Sequence, residues 1–319
     1  MASPLKPGWS KPSTILFASE FPANEKAFAS ALAQSAEFGA DLIIFHAYAA
    51  PDGFASAASG GRRHNCAAVR AEKLRFEALA QRARDLGIHC RIVVRPGSPA
   101  EEILAFLQGR KIDRIVMGAH TPGPVGRLLV GSVAETVLRS ACMPVSVVGP
   151  HVVEGTYRNF YTRTILCSTS AHEFGHVVAR FAAELAVRHH ARLILQHVIP
   201  PQESAETLAG RTLAQMEAEL LALVPAGLLD KISVRARVAL GDPTEELLYQ
   251  GRVLQANLLV LGAQGASHFA AVTRAGIVYK VLAYAHCPVM TLSPVVLAGC
   301  GAAEEAFRPS EVRYLAGVV

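Results

Sequence analysis

The chain has 319 residues, 51% of them apolar and 18% charged, and Lys plus Arg outnumber Asp plus Glu by 31 to 26. This balance excludes a disordered polymer and supplies enough chain for two domains with their own cores, while no apolar run approaches the roughly 20 residues that cross a bilayer. A pI near 9.0 raises nucleic acid as a partner, but the cations are spread along several segments without interleaved aromatics, so neither nucleic acid nor a membrane is expected.

The opening stretch, MASPLKPGWSKPST, has no apolar h-region, and a cytoplasmic location is the expectation. Short apolar runs then alternate with amphipathic stretches of helical period, the pattern of a parallel sheet covered by helices on both faces. Strands are predicted near 14–19, 41–47, 88–95, 112–118 and 144–149, with helices near 23–38, 65–86, 99–109 and 131–141. The third helix opens at Ser98-Pro99, where proline suits the first turn. Ahead of the second helix, ASAASGG reads as a loop and leads into the densest basic patch, Arg62-Arg63-His64. The cysteines (Cys66, Cys90, Cys142, Cys167, Cys287, Cys300) form no C-x-x-C pair, so free thiols are expected.

The chain then repeats itself, which sets its domain organisation. Thr14-Ile15-Leu16-Phe17-Ala18-Ser19 returns as Thr164-Ile165-Leu166-Cys167-Ser168-Thr169, and Ala40 to His46 (ADLIIFH) returns as Ala191 to His197 (ARLILQH). Gly97-Ser98-Pro99-Ala100-Glu101-Glu102 recurs as Gly241-Asp242-Pro243-Thr244-Glu245-Glu246, and Pro144-Val145 as Pro288-Val289. Two tandem, doubly wound, parallel five-stranded α/β sheets follow, with domains expected over 1–152 and 153–297 and a tail over 298–319. The stretch HVVEGTYRNFYTR links the two copies.

Ligands of open parallel sheets sit at the carboxyl ends of strands. There the first copy has a glycine-rich segment, Met117-Gly118-Ala119-His120-Thr121-Pro122-Gly123-Pro124-Val125-Gly126-Arg127, running on to Gly131-Ser132-Val133. Glycine lets backbone N–H groups approach an anion, and a helix starting near Gly131 would direct its positive end at a phosphate. It is no Walker loop, because Ser132 stands where that motif has lysine. With Cys142-Met143-Pro144-Val145 and the T-I-L strand openings, these residues resemble the universal stress protein family in a tandem form. Nucleotide-binding members of that family carry G-x2-G-x9-G-[S/T] in this loop. Here Thr121 replaces the second glycine, and Glu20 stands where those members place an aspartate.

The resemblance implies adenine-nucleotide binding, ATP with Mg, in the first copy. Ala18, Ser19 and Glu20 would lie near the adenosine, Ala47 against the base, Met117 and Gly118 under the ribose phosphate, and Gly131, Ser132 and Val133 at the phosphates. The second copy has Ser170 for the acid and Ala275-Gly276 for Gly-Ser, which implies a degenerate site. Pairing through the last strands, after Pro144 and Pro288, would make a pseudo-dimer within one chain or a dimer of chains. The alternative reading is a scaffold of the same fold that acts in stress signalling through partner contacts. No nucleophile or acid/base pair marks an enzyme beyond a slow ATPase.

A third class is suggested by His172-Glu173-x-x-His176, the spacing of zinc peptidases. Against it, Ser170 and Glu173 read as a capping box, and Phe174, Val178, Phe181 and Leu185 as the buried face, which turns His172 and His176 to solvent. Ala179 and Ala182 remove the longer zinc signature, and His189-His190 lie ~20 Å further along the helix at its usual rise. His46 and His197, at strand ends, read as satisfied residues near the core.

Overall fold

The computed structural model describes residues 9–19, 24–48, 62–119, 131–158, 162–170, 174–202, 210–262, 276–293 and 295–296, with the backbone alone for 62–73. In the first repeat, β1 (Thr14–Ser19), α1 (Glu25–Phe38), β2 (Asp41–Tyr48), α2 (Arg62–Asp85), β3 (Cys90–Pro96), α3 (Pro99–Leu107), β4 (Arg114–Gly118), α4 (Ser132–Ser140) and β5 (Val145–Val148) follow in order. The link contributes α5 (Glu154–Tyr157). The second repeat holds β6 (Thr164–Ser168), α6 (Gly175–His189), β7 (Arg192–Ile199), α7 (Leu213–Ala222), α8 (Ala226–Leu229), β8 (Val234–Leu240), α9 (Pro243–Val253), β9 (Leu258–Gly262), α10 (Ile277–Tyr284) and β10 (Val289–Leu292). These elements fall where the repeat predicts them, and the expected tail over 298–319 lies outside the described residues.

The strands form one ten-stranded sheet in the order β3-β2-β1-β4-β5-β10-β9-β6-β7-β8. Within each repeat every pairing is parallel; β5 and β10 alone pair antiparallel, Val147 opposite Val289 and Val145 opposite Thr291. The central strands read as unbroken apolar runs because helices cover both faces. On the face of α3, α4, α9 and α10 a single core runs through both repeats, from Phe45 and Ile115 to Leu259 and Val289. On the face of α1 and α6 the core divides in two, and Trp9, which precedes β1, packs with the second repeat's Phe181 and Ala182.

The repeated Gly-x-Pro-x-Glu-Glu turn has a physical reason in both copies. Gly97 and Gly241 adopt φ of 140° and 151°, which L side chains rarely accept, and a Cβ on Gly97 would lie 2.8 Å from Glu102 Cγ. Each folded-back glutamate meets an arginine, Arg95 on Glu102 at 3.4 Å and Arg237 on Glu246 at 3.6 Å. Where the chain leaves β5, Gly149 passes so close to α10 that a Cβ would come within 2.3 Å of the Leu282 carbonyl oxygen.

One charge breaks the apolar pattern. Arg114, in β4, is fully buried under α1, and its guanidinium donates to Gln34 Oε1 at 3.0 Å and to the Trp9 carbonyl at 2.9 Å. Burial lowers its pKa to about 9, with Asp113 opposing that fall. Phe38 lies between this cation and His189 at the end of α6, 5.1 Å from the guanidinium and 5.6 Å from the imidazole. Burial, then Arg114, Arg188 and His190, lowers the His189 pKa to about 4, so its approach to the half-exposed Glu37 at 3.8 Å is no ion pair at neutral pH.

The second repeat places Leu258 where the first has Arg114: Ile15 pairs with Arg114, and Ile165 with Leu258. Arg114→Ala is expected to cost about 3–5 kcal/mol in chemical denaturation, through a cavity and two orphaned acceptors, and Arg114→Leu markedly less. Equal losses would assign the stabilisation to the hydrogen bonds instead of the filled volume. His189 titrates near 6.5 in the unfolded chain and near 4 in the fold. Its contribution is therefore full above pH 6.5 and fades as pH falls toward 4, a loss of roughly 3 kcal/mol that a His189→Gln variant should not show.

Candidate functional site

Four neighbouring strands of the first repeat end at one rim. Ala18 sits in register with Phe45 and Met117, Ser19 with His46, and Gly118 with Val148. Helix α4 runs back from the carboxyl end of β4 to the start of β5, so its amino end opens on the same rim. The fold thus brings Ala18, Ser19, Ala47, Met117, Gly118, Gly131, Ser132 and Val133 to one edge. Glu20, Thr121, Pro122, Pro124 and Arg127 lie outside the described residues.

Local chemistry fixes this edge. His46, 5% exposed, holds Nδ1 2.9 Å from the Ser19 carbonyl oxygen and its ring 4.9 Å from Phe76, so it anchors the end of β1. Helix α4 starts at Gly131 with φ 91°, and no side chain among the described residues caps it. Ser132 is exposed and Val133 half-buried, while Glu135 in the first turn is drawn back onto Arg139 at 2.9 Å. An uncapped helix start with an exposed hydroxyl attracts an anion through free N–H groups and the positive end of the dipole.

Asn24 is a member of the edge that motif reading does not single out. It caps α1, accepting from the Ala27 N–H at 3.0 Å, which leaves its amide nitrogen facing Gly118. A Cβ on Gly118 would lie 2.4 Å from that nitrogen, so glycine is required there by Asn24 itself. The signal was present: Asn immediately before an amphipathic run is a helix start.

The corresponding edge of the second repeat differs in chemistry. Among the described residues no side chain caps the start of α10 at Gly276, which stands at the place of Ser132 and offers no hydroxyl, and Ile277, 36% exposed, opens the first turn. Below the rim, Phe45 packs on Phe106 in the first repeat with ring centroids 5.0 Å apart. Gln196 and Gln250 stand at those places in the second. Gln250, its amide oxygen turned toward Arg237, accepts from that guanidinium at 3.0 and 3.2 Å. The fully buried Gln196 amide has no hydrogen-bond partner on either atom among the described residues.

His172 and Glu173 lie outside the described residues, and His176 is half-buried in the first turn of α6. The capping box expected of Ser170 and Glu173 is corrected: α6 begins at Gly175 with Phe174 as its N-cap. The chain packs too tightly for the earlier start, with Thr169 Oγ1 donating to the Gly175 carbonyl at 3.0 Å and the Ser170 carbonyl pressed against the Gly175 Cα. Val178, Phe181 and Leu185 are buried as expected. Among the described residues no group of three His, Cys, Asp or Glu side chains is placed to hold a metal ion. Burial raises the Cys90 pKa to about 11 and pushes those of Cys167 and Cys287 higher still, so these thiols are protonated at neutral pH and poor nucleophiles. No helix among the described residues is long and apolar enough to cross a membrane.

A parallel sheet whose helix starts and strand ends converge on one rim, built twice in one chain, defines a tandem doubly wound α/β protein. The model of the universal stress protein family matches residues 13–149 and again 162–293, and the chain belongs to that family. A universal stress protein of Thermus aquaticus, encoded in the 3' region of a QAH/OAS sulfhydrylase, is 35% identical over 125 residues, covering 39% of this chain and 88% of its own. The crystal structure of a universal stress protein from Archaeoglobus fulgidus aligns over 89% of this chain and 97% of its own, with a TM-score of 0.69 at 17% identity. A further universal stress protein of that organism, solved in complex with dAMP, covers 41% of this chain and 97% of its own, at 16% identity and a TM-score of 0.30.

Gly118→Ala must push the Asn24 side chain off its capping position and should cost about 1 kcal/mol, the worth of an N-cap. In an Asn24→Ala background the same substitution should cost almost nothing. Additive losses across that double-mutant cycle would show that the two residues do not restrain each other.

Proposed function

We propose that this chain is a stress-response protein whose first repeat binds an adenine nucleotide, ATP with Mg, while the second repeat keeps the fold with a degenerate site. Ala18, Ser19 and Glu20 would lie near the adenosine, Ala47 against the base, Met117 and Gly118 under the ribose phosphate, and Gly131, Ser132 and Val133 at the phosphates. The observation that carries this reading is the uncapped start of α4 at Gly131, on the rim where β1 and β4 end. The second repeat has Gly276 at the place of Ser132 and so lacks the hydroxyl. Its role is then architectural: residues 153–297 would complete a pseudo-dimer with residues 1–152 in place of a second chain.

A scaffold that binds no nucleotide is the second reading, favoured by Asn24, whose amide occupies the approach to Gly118. Isothermal titration with magnesium-ATP separates the two. Saturable binding near micromolar that Gly131→Asp abolishes and Ser132→Ala weakens about tenfold supports the sensor, the latter being the worth of one good hydrogen bond to a charged group. No heat at millimolar nucleotide from the folded chain leaves the scaffold.

A further inference from the structure

Opposite the carboxyl rim of its own strands, the second repeat carries an open groove of about 860 Å³. It lies where β6, β7 and β8 begin and where α6 and α9 end. Arg163, Arg192 and Lys231 line it beside His190, Gln255 and Asn257, and none of its lining residues is an Asp or Glu. A smaller cavity of about 360 Å³ shares Arg192 and adds Arg235.

The first repeat supplies an internal comparison, because its strand starts are tied together at this rim by the same backbone hydrogen bonds. Asp41 N–H donates to the Ser13 carbonyl as Arg192 N–H does to that of Arg163, both at 3.0 Å. Asp113 accepts from the N–H groups of Ser13 and Thr14 at 2.8 and 3.2 Å, and Asn257 accepts from those of Arg163 and Thr164 at 3.0 and 3.1 Å. At these matched strand starts the side chains differ in charge. Ser13, Asp41, Gly87 and Asp113 of the first repeat become Arg163, Arg192, Lys231 and Asn257 in the second. Arg110 and Lys111 become Leu254 and Gln255 in turn, so the lining gains three formal positive charges in net, and folding does not need them, since the first repeat folds without them.

Backbone conformation adds a second, independent sign. Among the described residues the non-glycines with positive φ are His190, at 51°, and Gln255, at 50°, and both line this groove. The first repeat has Gly39, φ 61°, where the second has His190. A side chain has been placed over the groove at a position where glycine is the less strained choice.

The helix ends here work against an anion, and their size decides whether they win. Each contributes about half a negative charge, so the carboxyl ends of α6 and α9 offset about one of the three cations lining the main groove. Arg192 is partly engaged, donating from Nε to Thr164 Oγ1 at 2.8 Å and from Nη2 to the Leu254 carbonyl at 2.9 Å, which fixes it in place. Arg163 and Lys231 are exposed, and the groove remains net positive.

We infer that the second repeat binds a small polyphosphorylated anion in this groove, separate from the candidate nucleotide edge of the first repeat. The volume exceeds what a single phosphate fills and lies within the range of small-molecule sites. Inorganic tripolyphosphate, titrated calorimetrically into the full chain at low ionic strength, is the direct probe. Arg163→Ser with Lys231→Gly, which restores the first repeat's residues at exposed positions, should weaken binding at least tenfold and leave the thermal midpoint unchanged. Asn257→Asp preserves the backbone acceptor, as Asp113 shows, and should also weaken binding by adding a negative charge, whereas Gly131→Asp should leave it intact. Absence of saturable heat at millimolar tripolyphosphate overturns the inference, as does equal affinity in the double variant and the parent chain. So does loss of the binding in Gly131→Asp, which would assign the anion to the other site.

Discussion

The antiparallel contact of β5 with β10 is the constraint on which the rest of the molecule depends. It is short, with Val145, Ser146 and Val147 opposite Thr291, Met290 and Val289, yet it turns two edge strands into central ones and removes two rows of unpaired backbone groups from solvent. All four residues of each strand are buried in consequence. The pair also forces α4 and α10 side by side, where Arg139 Nε meets the Tyr279 hydroxyl at 3.4 Å and Gly149 must lie against the Leu282 carbonyl. A universal stress protein repeat in this chain is therefore half of one sheet, sharing the core on one face of it, and its last strand has no solvent-facing edge with which to recruit another chain.

Joining the repeats affects the two faces of the sheet differently. On the face of α4 and α10 the apolar contacts are continuous, so the seam needs no special device. On the face of α1 and α6 the helices stand apart over separate clusters, and the gap is filled by Trp9, Phe38, Arg114 and His189. A buried guanidinium reaches further than any aliphatic side chain, and its donors satisfy the Trp9 carbonyl, which has left regular structure. That reach costs desolvation, and the neutral His189 beside it shows the same pressure: a second cation in this space is strongly disfavoured. The asymmetry between Arg114 and Leu258 follows from topology, because only one repeat has a segment before its first strand that crosses to the other.

Much of this was legible in the sequence, for identifiable reasons. The repeat fixed element order, the strand period and apolar runs fixed the sheet, and Ser98-Pro99, Gly131 and Gly97 marked helix starts and turns through conformational rules that act locally. The convergence of Ala18, Met117 and Gly131 followed from the family resemblance and from the rule that open sheets bind ligands at carboxyl ends. Non-local packing was not legible. The capping box read into Ser170 and Glu173 satisfies every local rule, yet the tight return of Gly175 onto Ser170 moves the helix start to Phe174. Arg114 looks like a strand-end charge beside Asp113 until the fold places α1 over it. Gln196 and Gln250 become informative only when their partners across the sheet, Phe45 and Phe106 in the sister repeat, are known.

The polarity of the sheet ties the two proposed sites together. Because β5 and β10 run in opposite directions, the rim where strands of the first repeat end is continuous with the rim where strands of the second begin. The short link confirms the geometry, since the chain leaves β5 at this rim, makes α5 and enters β6 without crossing the sheet, and Gly155 of α5 already lines the basic groove. Lys26 at the start of α1 grips the same link, donating to the carbonyls of Pro150 and Val152 at 2.6 and 2.9 Å. The candidate nucleotide edge and the basic groove thus open on one rim, separated by the link and by the strands β5, β10 and β9. Duplicating a sheet with its last strands paired doubles the number of rims facing each way. The second repeat, having lost the hydroxyl at its own carboxyl rim, carries its concentrated positive charge at the amino rim instead, on the side where the first repeat would present a nucleotide's phosphates.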